Sequence, residues 1–142
     1  MSILPWVHIL ATLYMVGLVW FVQLVQYPLF ASVDPGSFPD YHSSYLEKTR
    51  WAIAPMMLIE LGTGLWLALQ LRSDFSWALA ISLVLIVVVW LVTFFVSVPQ
   101  HAILERGFDE KAWRTLLDTN WIRTIAWSAR AVLLLLWMSG SR

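Results

Sequence analysis

Residues 2–33 read SILPWVHILATLYMVGLVWFVQLVQYPLFASV, a run without a single Asp, Glu, Lys or Arg. A helix rises 1.5 Å per residue and needs about 20 mostly apolar residues to cross a hydrocarbon core of roughly 30 Å. The segment from Leu4 to Phe30 is long enough to span with some tilt. Three further apolar stretches follow, at about Trp51–Leu71, Phe75–Val98 and Trp121–Met138. The fold class this predicts is all-α, an integral membrane four-helix bundle. With no internal repeat, low-complexity segment or linker, residues 1–142 form a single transmembrane domain.

Composition supports that class. The chain is 60% hydrophobic and 13% charged, about half the charge of an ordinary soluble domain. A formal net charge of zero gives no electrostatic footprint for nucleic acid and no basic tail for an anionic surface. The absence of cysteine excludes disulfides, thiolate catalysis, iron–sulfur clusters and Cys-type zinc sites. The N-terminal run has no basic n-region and is too long for a signal-peptide core, so it reads as a retained first helix.

The connections differ in kind. Only Arg72-Ser73-Asp74 separates the second and third spans, which predicts a tight hairpin. Ser37-Phe38-Pro39-Asp40 resembles an N-cap with Pro inside the first turn and an acid beside it, so the second helix is expected to begin near Pro39 and run some 30 residues. Phe108-Asp109-Glu110, ahead of Trp113, Leu116 and Leu117, marks a surface helix or an early start to the fourth. Lys48, Arg50, Arg106, Lys111 and Arg114 gather at the two longer connections, against Arg72 and Arg142 on the other side. The positive-inside rule then turns the longer loops toward the cytoplasm of a bacterial inner membrane.

The polar residues within the spans define the candidate site. Glu60 lies nine residues past Trp51 and Arg130 nine past Trp121, each about 14 Å along its helix. The two helices enter from the same side, so the charges sit at one depth near the midplane. An isolated charge there costs at least ~2.5 kcal/mol, and an ion pair is the simplest resolution. It serves either as part of a functional site or as a structural register pin.

Other polar groups form stripes at helical spacing. They are His8, Thr12, Met15, Val19, Gln23 and Gln26 on the first helix, Ile53, Met57, Glu60 and Gly64 on the second, Trp90, Thr93, Ser97 and His101 on the third, and Asn120, Arg123, Trp127 and Arg130 on the fourth. Turned inward together, they predict a wet or ligand-filled interior toward the longer loops. The principal cavity is expected there, lined by Glu60 and Arg130, with Trp127 stacked on a ligand or on Arg130. Gly62 and Gly64 would admit a close neighbour. Trp6, Trp51, Trp77 and Trp121 suit an interfacial aromatic belt, and Pro28, Pro55 and Pro99 are candidate kinks. His42 and His101 lie on separate connections without a third ligand at metal spacing, so no metal site is defined. No metalloprotease, nucleotide-binding or nucleophile-elbow motif is present.

The sequences Trp6-Val7-His8-Ile9-Leu10, Val19-Trp20-Phe21 and Tyr27-Pro28-Leu29-Phe30, with Arg50, Ala54-Pro55 and Gly64-Leu65-Trp66, resemble the first two helices of HemJ-type protoporphyrinogen oxidases and copper-resistance D-like membrane proteins. Pro28 is followed by Leu29 where that family has Arg, and the third span holds no Lys. The second half, with Val98-Pro99-Gln100-His101 and Asn120-Trp121 through Arg130, resembles four-helix membrane proteins related to anthrone oxygenases, with His101 at their Asn position. The first resemblance implies haem b held by His8. Both imply a redox-type bundle.

Three functional classes follow. The first is a membrane oxidoreductase or oxygenase-like protein acting on a planar hydrophobic molecule such as a quinone, porphyrin or phenol. Arg123 and Arg130 would polarise a substrate oxygen, Glu60 would move a proton, and His8, Gln23, Gln26, His101, Asn120 and Trp127 would contact the ligand or cofactor. The second is a non-catalytic binding or transport module, which with so few helices would call for a homo-oligomer. The third is an accessory subunit whose buried charges only hold the bundle together.

Overall fold

The computed structural model describes residues 2–71 and 75–140. They form four long helices, α1 (Leu4–Phe30), α2 (Phe38–Gln70), α3 (Trp77–Leu104) and α4 (Glu110–Gly140), each long and apolar enough to cross a membrane. The expected hairpin at Arg72-Ser73-Asp74 lies outside the described residues. Both connections at the other end are short, because the flanking helices extend into them. The third helix runs past Pro99 to Leu104, and the fourth starts early, at Glu110.

The helix starts follow from short polar side chains. Ser37 precedes α2 but does not cap it through its side chain. The Asp34 carboxylate instead accepts the backbone N–H groups of Gly36 (3.0 Å) and Ser37 (3.3 Å), ordering the turn ahead of the helix. Asp109 caps α4 by accepting the N–H of Ala112 at 2.7 Å. Between α3 and α4 the chain reverses at Gly107, whose φ of 145° suits only glycine.

Two prolines reshape their helices. Proline removes a backbone donor and pushes against the carbonyl four residues earlier. Pro28 and Pro99 each follow a one-turn π segment, at Val22–Gln26 and Thr93–Ser97, where the widened turn accommodates the unpaired carbonyl. The extra residue advances the inward face of α1. Tyr27 and Phe30 are buried beyond Gln23, whereas Gln26 is only half-buried.

The helices run up, down, up and down. α1 packs against α2 and α4, and α4 packs against α3, whereas α2 and α3 touch sparingly. They meet where Gly64 faces Ile86 and Leu83. A Cβ at Gly64 would lie 2.8 Å from the Ile86 side chain, while one at Gly62 would meet nothing, so only Gly64 permits the predicted close approach.

The interior is layered along the bundle axis. Ile9, Leu67, Leu79 and Leu134 fill the end near the N-terminus. Met15, Val19, Met57, Val89, Ala126 and Trp127 fill the middle. An aromatic-rich layer with Tyr27, Phe30, Phe38, Leu104 and Leu116 closes the loop end. There the Trp113 indole donates to the Tyr27 carbonyl at 2.7 Å, tying the start of α4 to the end of α1. The outer surface is apolar, with Leu10, Leu24, Leu65, Leu69, Val84, Val87, Phe95, Ile125 and Val132 exposed. Trp51 and Trp77 stand at opposite ends of it.

Candidate functional site

Glu60 and Arg130 form the expected pair, with Nη1 donating to Oε1 at 2.6 Å and both side chains almost fully enclosed. Each carboxylate oxygen has further donors. Thr12 donates to Oε1 at 2.6 Å and the Trp127 indole to Oε2 at 2.9 Å. The guanidinium also donates through Nε to the Ser82 carbonyl (3.2 Å) and through Nη2 to His8 Nε2 (3.2 Å). Arginine has no acceptor, so His8 Nε2 must accept. The hydrogen of this neutral ring then sits on Nδ1, which donates to Thr63 Oγ1 at 2.7 Å, and Thr63 passes its own hydrogen to the Ile59 carbonyl at 2.6 Å. The network is closed.

His8 therefore joins the ion pair, an association that its position near one end of α1 concealed. Its two ring nitrogens are engaged and the residue is 0% exposed. Iron could reach Nε2 only by displacing Arg130, so this geometry does not fit the haem ligation that the HemJ resemblance implies.

An apolar cavity lies elsewhere. About 430 Å³ opens between α2 and α3 on the loop side of the ion pair, where the helices diverge beyond Gly64. Its walls are mostly apolar, including Val19, Ile53, Met57 and Trp90. Leu58, Phe94 and Val98 are half exposed at its edge, so it opens sideways through the apolar surface. Glu60 and Arg130 do not line it, contrary to the sequence expectation. Their hydrogen bonds draw them into the packed layer, leaving no polar atom to turn toward a ligand.

Of the two arginines that line the cavity, Arg50 is exposed and the buried one is Arg123. It is 4% exposed, donates through Nη1 to Ser97 Oγ at 3.2 Å, and stacks with its guanidinium carbon 5.4 Å from the Trp127 ring centre. Trp127 thus supports Arg123, where the sequence suggested a ligand or Arg130. The Tyr27 hydroxyl lies alongside. Among the described residues no carboxylate pairs with Arg123, and its Nε has no hydrogen-bond acceptor. Gln23 and Asn120 bond one another instead of reaching the cavity, with Asn120 Nδ2 donating to Gln23 Oε1 at 2.9 Å and Gln23 Nε2 donating to the Leu117 carbonyl at 3.1 Å, while Asn120 Oδ1 is left without a partner. Gln26 donates to the Tyr41 hydroxyl at 2.8 Å. Of the residues that the sequence nominates for ligand contact, His101 alone joins Arg123 in the lining.

His101 brings partners that periodicity did not reveal. Its Nε2 lies 3.2 Å from the Tyr27 hydroxyl and its Nδ1 lies 3.2 Å from Nε2 of His42. His42 stacks on Phe38, with ring centres 5.3 Å apart and planes at 16°, and Tyr45 lines the cavity beside the pair. Among the described residues no third His, Asp, Glu or Cys completes a metal-ligating group. Tyr27 was hidden because the π segment moves it inward in place of Gln26, and the paired prolines, five residues after Gln23 and two after Ser97, are the signal that could have found it.

The fold and site together define an all-helical four-helix bundle with an apolar exterior, a saturated internal ion pair and a lateral cavity facing one buried, carboxylate-free arginine. The chain matches no family model, no curated protein and no solved structure.

Proposed function

We propose that this chain is an integral membrane protein that takes a planar hydrophobic molecule carrying a ring oxygen, a quinone or phenol, from the bilayer into the cavity between α2 and α3. In this reading it works as an oxidoreductase or oxygenase-like protein of the bacterial inner membrane, with the loop end cytoplasmic. The observation that carries the proposal is Arg123. A buried cation without a counter-ion is costly in a low-dielectric interior, and this one lines the apolar cavity with its Nε left without an acceptor. Apolar walls with a few converging polar groups are the usual composition of a small-molecule site. The sideways mouth suits a ligand dissolved in lipid.

In this reading Glu60 and Arg130 belong to architecture and not to chemistry. Every oxygen of that carboxylate is engaged, so its role here is to fix helix register. In place of Glu60, Tyr27 and His101 stand beside the ligand position for proton exchange.

The experiment is titration of the purified protein in lipid nanodiscs with menadione, a quinone, and 4-nitrophenol, a phenol, followed by tryptophan fluorescence. Trp90 lines the cavity and Trp127 supports Arg123, so binding should quench saturably. Arg123→Gln should weaken it roughly tenfold or more, the value of a hydrogen bond to a charged group. Non-saturable partitioning, or equal affinity in the variant, overturns the assignment.

A further inference from the structure

The loop end of the cavity holds a chain of hydrogen-bonding groups that leads away from it. Tyr27 and His101 line the cavity. The Tyr27 hydroxyl is 3.2 Å from His101 Nε2, and His101 Nδ1 is 3.2 Å from His42 Nε2. His42 does not line the cavity, is 0% exposed, and its far nitrogen Nδ1 has no hydrogen-bond partner. Packing alone does not account for two histidines in this position. A phenylalanine would stack on Phe38 and Phe30 equally well, whereas a buried imidazole with one nitrogen unsatisfied costs about 1–3 kcal/mol.

Imidazole is the side chain that accepts a proton on one nitrogen while releasing one from the other. From these contacts we infer that Tyr27, His101 and His42 form a proton relay that leads from the cavity to His42. The inference rests on the ligand site proposed above and narrows its ligand to a molecule that exchanges a proton at its ring oxygen.

The transfer balances without a further reactant. The O–H bond of a bound phenol breaks and its proton joins the Tyr27 oxygen as the Tyr27 hydrogen passes to His101 Nε2. His101 Nδ1–H then passes to His42 Nε2, and the His42 ring holds the proton. The phenolate stays against the Arg123 guanidinium and the proton stays on His42, so no charge is gained or lost.

The groups around the relay favour this direction. Arg123 on α4 stands beside the Tyr27 hydroxyl on α1, where it stabilises negative charge on the ligand or on the tyrosine. Tyr45 on α2 lies within 5.9 Å of the His42 ring and 6.2 Å of the His101 ring, measured between centres, and adds no fixed charge. Glu105, exposed just after α3, is close enough to act electrostatically on His42.

The test uses the whole protein in nanodiscs and 4-nitrophenol, at a pH where the free probe is mostly neutral. Tryptophan quenching reports binding, and the phenolate absorption band reports loss of the proton. The wild type should develop the phenolate band as fast as it binds. His42→Gln and His42→Phe should bind with unchanged affinity yet develop the band at least about tenfold more slowly, the lower range of a proton-transfer contribution. Using both variants guards against a folding defect in one. A phenolate band as fast as in the wild type overturns the relay and leaves the site standing, whereas absence of saturable quenching removes the site itself. Without any ligand, ¹⁵N-histidine spectra should show coupling between the facing nitrogens of His42 and His101. Its absence overturns the relay whatever the probe does.

Discussion

Glu60→Gln and Arg130→Gln, made singly and together, probe the ion pair most directly. In Glu60→Gln the Arg130 guanidinium stays enclosed, at 0% exposure, and loses its carboxylate. The new amide offers one oxygen where Arg130, Thr12 and Trp127 all donate, and its NH₂ turns a donor toward at least one of those donors. Removing one member of a buried pair costs about 3–5 kcal/mol. Arg130→Gln strands the carboxylate, but Thr12 and Trp127 still donate to it, and a carboxyl group can take up a proton whereas a guanidinium cannot shed one. It should therefore cost less than Glu60→Gln. In the double variant neither charge is stranded, so its loss should fall short of the sum by about 2–3 kcal/mol, the upper range for residues in direct contact. Reversible unfolding in mixed micelles, followed by tryptophan fluorescence, measures all three. Additive losses, or an Arg130→Gln variant worse than Glu60→Gln, would refute the assignment of this network as a closed structural unit.

Protein expressed with ample haem should purify colourless, and His8→Ala should lower stability without altering the visible spectrum; a Soret band abolished by His8→Ala would contradict the engaged state of both ring nitrogens. Gly64→Ala should cost about 1–3 kcal/mol by overpacking against Ile86, while Gly62→Ala, open to the outside, should stabilise α2 by up to about 1 kcal/mol through helix propensity; equal melting temperatures for the two would refute the close approach of α2 and α3. Arg123→Leu, which keeps an apolar bulk and removes the unpaired charge, should leave the protein at least as stable as the wild type while abolishing quenching by 4-nitrophenol; a strongly destabilised variant would show that Arg123 is structurally satisfied.

How far the sequence could be read depended on the range of the interaction involved. The charge-free run at 2–33 and the three later apolar stretches announced four long helices, because hydropathy is a property of each segment alone. The equal depth of Glu60 and Arg130 was also legible, since helical rise converts residue count into height whatever the neighbours do. Inward burial of Asn120, Arg123, Trp127 and Arg130 followed from one unbroken 3.6-residue period. The same reasoning lost Tyr27 and overvalued Gln26, because the π segment ahead of Pro28 inserts a residue and shifts every later position.

Tertiary structure alone decided where the empty space lies. Periodicity assigns a residue to a face but does not say whether that face meets a protein group or a void. Glu60 and Arg130 lie on inward stripes, yet their short hydrogen bonds to each other, Thr12, Trp127 and His8 close the bundle around them. Arg123 lies on the same stripe two turns earlier, and there α2 and α3 have diverged, leaving an apolar cavity and no carboxylate. Two arginines that the sequence treats alike thus receive different environments, because relative helix tilt arises from packing between distant segments such as Gly64 against Ile86.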